Sequence, residues 1–172
     1  MYTPLQLTWK YLHYWLTASN GKGHGTHSPF VYDFIEAVLN DSSKIPQATA
    51  IEACRARFKA DDRLIEVVDF GAGSVQLKQQ QRRVSDIART SLKPIKYAQL
   101  LYRMVQHYQP KTILEIGTSL GITTQYLALG NPNATVYTLE GSEPIAAIAE
   151  AAWQQHQRTN IRLKKGEFSS TL

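Results

Sequence analysis

The chain has 172 residues, 43% hydrophobic and 19% charged, with 19 Lys/Arg against 14 Asp/Glu and one cysteine. These values fit a soluble globular protein of one main domain plus an appendage. A lone Cys54 excludes an internal disulfide, no apolar run reaches the length of a membrane span, and no signal-peptide pattern opens the chain. A cytoplasmic protein without membrane contact is therefore expected. The net charge of +5 is concentrated: residues 55–96 hold ten Lys/Arg against five Asp/Glu.

In chain order, Leu5, Trp9, Leu12, Tyr14, Trp15 and Leu16 predict an amphipathic helix over residues 4–19. The linker Asn20–His27, with three glycines, reads as a loop. His24 and His27 have no nearby Cys or acidic cluster, so they read as loop residues, with metal or substrate contact as the alternative. Ser28 and Pro29 open a second helix as cap and first helical residue, running to Leu39 with Phe30, Phe34, Ala37 and Val38 on its apolar face. A third helix is predicted over Pro46–Ala60, with Cys54 as a small buried residue.

Val67–Ser74 (V-V-D-F-G-A-G-S) looks like a strand and a cofactor turn. It leads into Gln79–Gln81 and a basic run rather than a second strand ending in an acid. Asp69–Ser74 is therefore read as a glycine loop packed near the cofactor domain, with a gating role as the sharper alternative. The basic residues Arg55, Arg57, Lys59, Arg63, Lys78, Arg82, Arg83 and Arg89 read as solvated helix faces. An RNA-binding face is the competing reading, weakened because only Phe58 interleaves with them. Helices over Val84–Thr90 and Pro94–Tyr108 come next.

Lys111–Glu140 carries the chemistry. Thr112–Ile116 reads as a parallel strand covered on both faces. Gly117 and Gly121 bracket Thr118, Ser119 and Leu120, and Thr118 or Ser119 is expected to cap a helix over Leu120–Leu129, stopped by Gly130, Asn131 and Pro132. Ala134–Leu139 is the next strand. Glu140 ends it, 19 residues after Gly121, where an acid grips a ribose diol in doubly wound folds. The turn lacks the central glycine that admits a pyrophosphate. Glu115 just before it repels phosphate and suits an ammonium. S-adenosylmethionine carries an ammonium, a sulfonium and a ribose but no phosphate, so the electrostatics favour it over a dinucleotide.

The segment L-E-I-G-T-S-L-G-I-T-T-Q-Y-L-A resembles the first motif of class I S-adenosylmethionine-dependent methyltransferases, in the branch with the catechol O-methyltransferase-like enzymes. Upstream, T-S-L-K-P-I-K-Y-A-Q-L-L-Y-R-M-V is similar to the helix before that branch's first strand. Downstream, L-E-G-S-E-P-I-A-A-I-A-E-A-A-W and N-I-R-L-K-K-G-E-F match the ribose-binding acid, the helix after it and the third strand. H-G-T-H-S-P-F-V-Y-D-F resembles the opening of a bacterial subgroup. The resemblance covers Ser91 to the C-terminus.

It implies a Rossmann-like α/β fold, with a helical region 1–91 and a cofactor domain 92–172. Glu115 is implied near the methionine amino group, and Gly117, Thr118, Ser119 and Gly121 along the methionine end. Glu140 is implied on the ribose hydroxyls, Gly141 and Ser142 beside the adenosine, and Gly166, Glu167 and Phe168 at the adenine edge. Thr123 reads equally as a ligand contact or a plain helix residue, and Phe168 as packing or stacking. The implied activity is methyl transfer to a small molecule, with no catalytic residue or metal ligand assigned. The family's sheet has seven strands and this chain reaches the third. A truncated form with an open edge at the first strand is expected; the alternative is a natural short form whose edge is covered through a homodimer or by the N-terminal helices. The alternatives are a non-catalytic cofactor- or partner-binding remnant, and an RNA-binding protein or RNA methyltransferase using the basic segment 55–96.

Overall fold

The computed structural model describes residues 2–17, 27–68 and 79–167, and the chain divides into two compact units, Met1–Ser43 and Lys44–Leu172. In the first unit, α1 spans Pro4–Thr17 and contains no buried residue. Gln6, Lys10, His13 and Thr17 recur at helical spacing and form one polar stripe, while the two tryptophans lie outside it. α2 spans Pro29–Asp33 and continues as a π-helical stretch over Phe34–Leu39. Its start has the expected chemistry, with Ser28 Oγ accepting the Val31 N–H at 3.4 Å and Pro29 in the first turn.

In the second unit a 3-10 turn over Pro46–Ala48 leads into α3 (Thr49–Lys59). β1 (Leu64–Val68) and β2 (Gln79–Arg83) pair antiparallel, Leu64 opposite Arg83. Gln79–Arg83 is thus a strand, against the sequence-based expectation, and its antiparallel pairing separates the pair from a β-α-β cofactor turn. The Asp69–Ser74 loop lies outside the described residues. α4 (Val84–Ser91) and α5 (Ile95–Tyr108) come next, and Gln109 in a left-handed conformation (φ +47°) ends α5.

The remaining elements are β3 (Thr112–Ile116), α6 (Ile122–Gly130), β4 (Thr135–Glu140), α7 (Glu143–Gln155) and β5 (Ile161–Lys165). They form a parallel sheet in the order β3-β4-β5, with Glu115 beside Thr138 and Glu140 beside Lys165. Side chains alternate across a strand. Val136, Thr138 and Ile161 are buried on one face, where Val136 and Ile161 share a core with Leu127, Ala128, Ala149 and Trp153 of α6 and α7. Leu114 and Ile116 point the other way and are each 56% exposed. The expectation that β3 is covered on both faces therefore fails: among the described residues, only one side of the sheet at β3 carries helices.

A second core joins Ile51, Cys54 and Phe58 of α3 with Val84 and Ile87 of α4 and with Ile122, Tyr126 and Ile145. Residues 44–91, assigned on sequence to the N-terminal region, thus share a core with the helices of the sheet. Tyr126 is fully buried and its hydroxyl donates to Glu52 Oε1 at 2.8 Å. Glu52 also pairs with buried Arg55 at 2.9 Å, and Arg55 Nη1 donates to the Lys93 carbonyl at 2.7 Å. Burial raises the Tyr126 hydroxyl pKa, and the hydrogen bond to Glu52 adds to the shift. α3, α6 and the segment leading into α5 are therefore tied by one polar chain.

Candidate functional site

The site is built where β3, β4 and β5 end. Glu115 lies on the helix-covered face of β3, next to Thr138 across the ladder. Thr138 Oγ1 donates to Glu115 Oε2 at 2.7 Å, and Thr124 Oγ1, from the buried side of α6, donates to the same oxygen at 2.5 Å. Among the described residues nothing donates to Oε1. Burial pushes the carboxyl above its ordinary range; the two threonine hydroxyls and Lys93 oppose the shift, and nearby Glu140 adds to it. One oxygen of this carboxylate is fixed by the protein, and the other keeps its acceptor capacity for a ligand.

After Ile116 the chain turns sharply. The N–H groups of Gly117 and Thr118 both donate to the Leu139 carbonyl at 3.0 Å, pinning the turn to the end of β4. Gly117 has φ +89°, Ser119 φ +49° and Gly121 φ +71°, values that L side chains seldom adopt. α6 begins at Ile122, two residues later than expected, and no side chain caps it. Thr118 Oγ1 instead lies 2.6 Å from Thr138 Oγ1, and Ser119 Oγ is buried with no hydrogen-bond partner among the described residues. The expected capping role of Thr118 or Ser119 is thus overturned: the left-handed Ser119 and Gly121 carry the chain past the geometry in which a hydroxyl reaches the first turn.

The two glycines differ. A β-carbon on Gly117 would meet nothing within 4 Å, so this backbone faces open space at the mouth of the turn. On Gly121 it would come within 3.0 Å of Ala149 Cβ and of Trp153 Cζ3. Gly121 therefore packs the turn against α7.

Glu140 joins the turns. Its Oε2 accepts the Ser119 N–H at 2.8 Å, its Oε1 accepts the Ser142 N–H at 3.0 Å, and its carbonyl accepts the Gly166 N–H at 3.0 Å. Ser142 occupies the N-cap position of α7 but its side chain makes no capping bond, and among the described residues its Oγ is buried without a partner, as Ser119 Oγ is. Two buried hydroxyls with no partner among the described residues therefore belong to the two residues whose N–H groups hold this carboxylate. Buried hydroxyls generally have a partner, so an ordered water or a ligand is expected at each.

Glu115, Gly117, Thr118, Ser119, Glu140, Gly141, Ser142 and Gly166 all lie at the carboxyl ends of adjacent parallel strands, where ligands bind in open α/β sheets. Glu167 succeeds Gly166 there and is exposed, while Phe168 lies outside the described residues. Thr123 is half-buried and lines a cavity of about 450 Å³ with Glu115 and Lys93, between α5 and the outer edge of β3. His24 also falls outside the described residues; His27 is exposed. The described residues contain no group of three His, Cys, Asp or Glu able to hold a metal ion.

Sequence reasoning missed Thr138 and Thr124. Thr138 was findable, since it stands two residues before Glu140 and so on the same face of a strand otherwise rich in apolar side chains. Thr124 is a polar residue inside a helix buried almost all round, a weaker signal.

No family model matches the chain, and no curated protein matches it. Solved structures do. The O-methyltransferase from Bacillus cereus in complex with SAH is 21% identical, over 82% of this chain and 51% of that one, with a TM-score of 0.50. A SAH-bound methyltransferase from Podospora anserina is 19% identical, over 81% and 50%, also at 0.50. A cofactor-bound protein from MTB is 21% identical, over 83% and 53%, at 0.51. The chain spans about half the length of the structures it matches. With its parallel sheet, glycine turn and acid after the second parallel strand, the chain has a Rossmann-like methyltransferase fold.

Proposed function

We propose that the chain binds S-adenosylmethionine and serves methyl transfer to an oxygen nucleophile on a small molecule. One observation carries this reading: two carboxylates, Glu115 and Glu140, flank a glycine turn whose mouth is open at Gly117. Negative charge on both sides of the turn opposes a pyrophosphate and favours a ligand with an ammonium and a ribose diol.

In this reading Glu115 Oε1 accepts from the donor's ammonium, while Thr124 and Thr138 hold the carboxylate in place. Glu140 takes the ribose hydroxyls, and the hydroxyls of Ser119 and Ser142 complete the adenosyl side. Gly117 lets the donor approach the main chain. Bound S-adenosylmethionine supplies a methyl group already activated by its sulfonium, and the residues named here contribute orientation and a fixed field. Calorimetric titration with S-adenosylmethionine and with NAD tests the binding step; tighter binding of NAD would overturn it. Transfer of a labelled methyl to hydroxylated aromatic acceptors tests the activity.

A donor-binding chain that needs a partner for catalysis is the second reading, favoured by exposed Leu114 and Ile116 beside the outer edge of β3. That edge has no strand partner among the described residues, and self-association along it is part of this reading. A chain that sediments as a monomer and transfers methyl groups would contradict it. The RNA-binding reading loses ground because Arg55 is buried against Glu52, Arg63 pairs with Asp61 and Arg89 pairs with Asp86.

A further inference from the structure

Every residue of α1 is exposed, Trp9 at 69% and Trp15 at 68% among them. A contiguous apolar surface of this kind marks an interaction site. At 3.6 residues per turn, Gln6, Lys10, His13 and Thr17 occupy a stripe about 60° wide, and an arc of about 220° is apolar or aromatic. Tyrosine hydroxyls apart, Thr8 is the one polar side chain in that arc, and its hydroxyl donates to the Pro4 carbonyl at 3.0 Å. We propose that α1 is an interfacial helix that holds the chain on an anionic lipid surface and lies in the plane of that surface. The inference stands apart from the donor reading. It replaces the expectation of no membrane contact, which rested on the absence of a spanning run and does not bear on a helix lying flat.

Width, edges and charge select lipid over a second protein chain. One packed neighbour needs an apolar stripe of about 100°, so it would leave half of the arc in water, whereas a bilayer interface surrounds the helix. Trp9 and Tyr14 stand on either side of the polar stripe. An apolar ring with a polar tip suits that boundary between acyl chains and headgroups. Lys10 is the only charged residue of α1, and no acid occurs before Asp33. Its Nζ lies 3.7 Å from the Tyr2 ring centroid, beside an aromatic face rather than a carboxylate. The stripe therefore complements phosphate headgroups, while a second copy of α1 would bring no acid to it. Length sets the orientation. The 14 residues of α1 rise about 21 Å, short of a hydrocarbon core of ~30 Å, and no helix of the described residues is long and apolar enough to cross a membrane. The helix start is self-contained, since the Thr3 N–H donates to Gln6 Oε1 at 3.0 Å and the Gln6 N–H to Thr3 Oγ1 at 3.3 Å. This reciprocal cap satisfies donors that lipid would leave unpaired.

The test is co-sedimentation of the full chain with vesicles of phosphatidylglycerol and phosphatidylcholine in equal parts, beside vesicles of phosphatidylcholine alone. The wild type should pellet with the anionic vesicles and bind the neutral ones about 5- to 30-fold more weakly, the weight of one or two basic residues. Joint Trp9→Gln and Trp15→Gln substitution should weaken binding to both by about tenfold or more, with an unchanged thermal melt because neither side chain is buried. Lys10→Gln should cost about fivefold on the anionic vesicles and nothing on the neutral ones. A wild type that stays in the supernatant, or a double tryptophan variant that pellets as the wild type does, would overturn the proposal. Equal binding to the two vesicle types would overturn the anionic assignment. A lower melt in the double variant would place the tryptophans in a core and overturn it too. So would a lipid-free dimer, read by sedimentation equilibrium, that ignores vesicles and dissociates in the double variant, since a second copy would then be the occupant.

Discussion

Replacing Glu140 by Ala tests the joint between the two turns. Its carboxylate accepts the Ser119 and Ser142 N–H groups at 2.8 and 3.0 Å, and the donor reading adds hydrogen bonds from a ribose diol. The backbone bonds are charge-assisted, so losing them loosens both turns, while losing the diol contact acts on binding alone. A hydrogen bond to a charged group contributes about 1.5–3 kcal/mol, and partial solvation of the site places the loss in donor affinity at roughly 1–3 kcal/mol. That corresponds to about a 5- to 150-fold rise in Kd. Calorimetry reads the affinity and a thermal melt reads the fold. Glu140→Gln keeps one acceptor oxygen and should lie between Ala and the wild type. The ribose contact is isolated with a 2′-deoxy donor analogue: the penalty for deoxygenation seen in the wild type should vanish in Glu140→Ala. A Glu140→Ala protein that melts normally and binds the donor within twofold of wild type would refute the reasoning.

The two turn glycines should separate binding from stability. Gly121→Ala forces a β-carbon to within 3.0 Å of Ala149 and Trp153 and should destabilise the fold by about 2–4 kcal/mol, overpacking added to backbone strain. Gly117→Ala meets open space and carries only the strain of a positive φ, about 1–2 kcal/mol, yet it should abolish measurable donor binding; chemical denaturation and calorimetry tell the two apart. The Glu115 carboxyl lies above its ordinary 4.5 through burial, so its protonated form favours the ligand-free fold below that value and this contribution is lost as pH rises through the elevated pKa. Ammonium binding needs the carboxylate, so donor affinity should fall on acidification starting above pH 4.5, and Glu115→Gln should bind weakly with a flat profile in a calorimetric pH series. Tyr126→Phe leaves Glu52 without one donor and should cost about 1–2 kcal/mol in denaturant unfolding.

Much of the sheet was legible because its signals are local. Thr112–Ile116 and the strand before Glu140 are short apolar runs, and Gly130 with Asn131 and Pro132 ends α6 as expected. Ser28 and Pro29 start α2 for the same local reasons. The strand at Gln79–Arg83 was not legible, since three glutamines and two arginines have little strand propensity and are held by pairing with Leu64–Val68. The start of α6 was missed because the hydroxyls that suit a cap are drawn elsewhere, Thr118 to Thr138 across the ladder. The uncovered side of β3 is a tertiary fact: an apolar run shows what a strand can bury and leaves open what lies against it.

Glu115 and Glu140 were readable from charge at the end of apolar strands. Their partners were not, because Thr124 and Thr138 reach Glu115 from two separate elements, α6 and β4. His156 is another long-range feature. Its Nδ1 lies 2.5 Å from Gln125 Oε1, and burial first, then Arg158 and Arg57, lowers its pKa. Stability present above its ordinary pKa of 6.5 is therefore lost as pH falls through the depressed value.

The most direct measurement is a crystal structure of the chain soaked with S-adenosylmethionine. Density should cross Gly117 with the ammonium on Glu115 Oε1 and the ribose hydroxyls on Glu140. A turn left empty at saturating donor, or one that takes a phosphate-bearing nucleotide instead, would contradict the assignment.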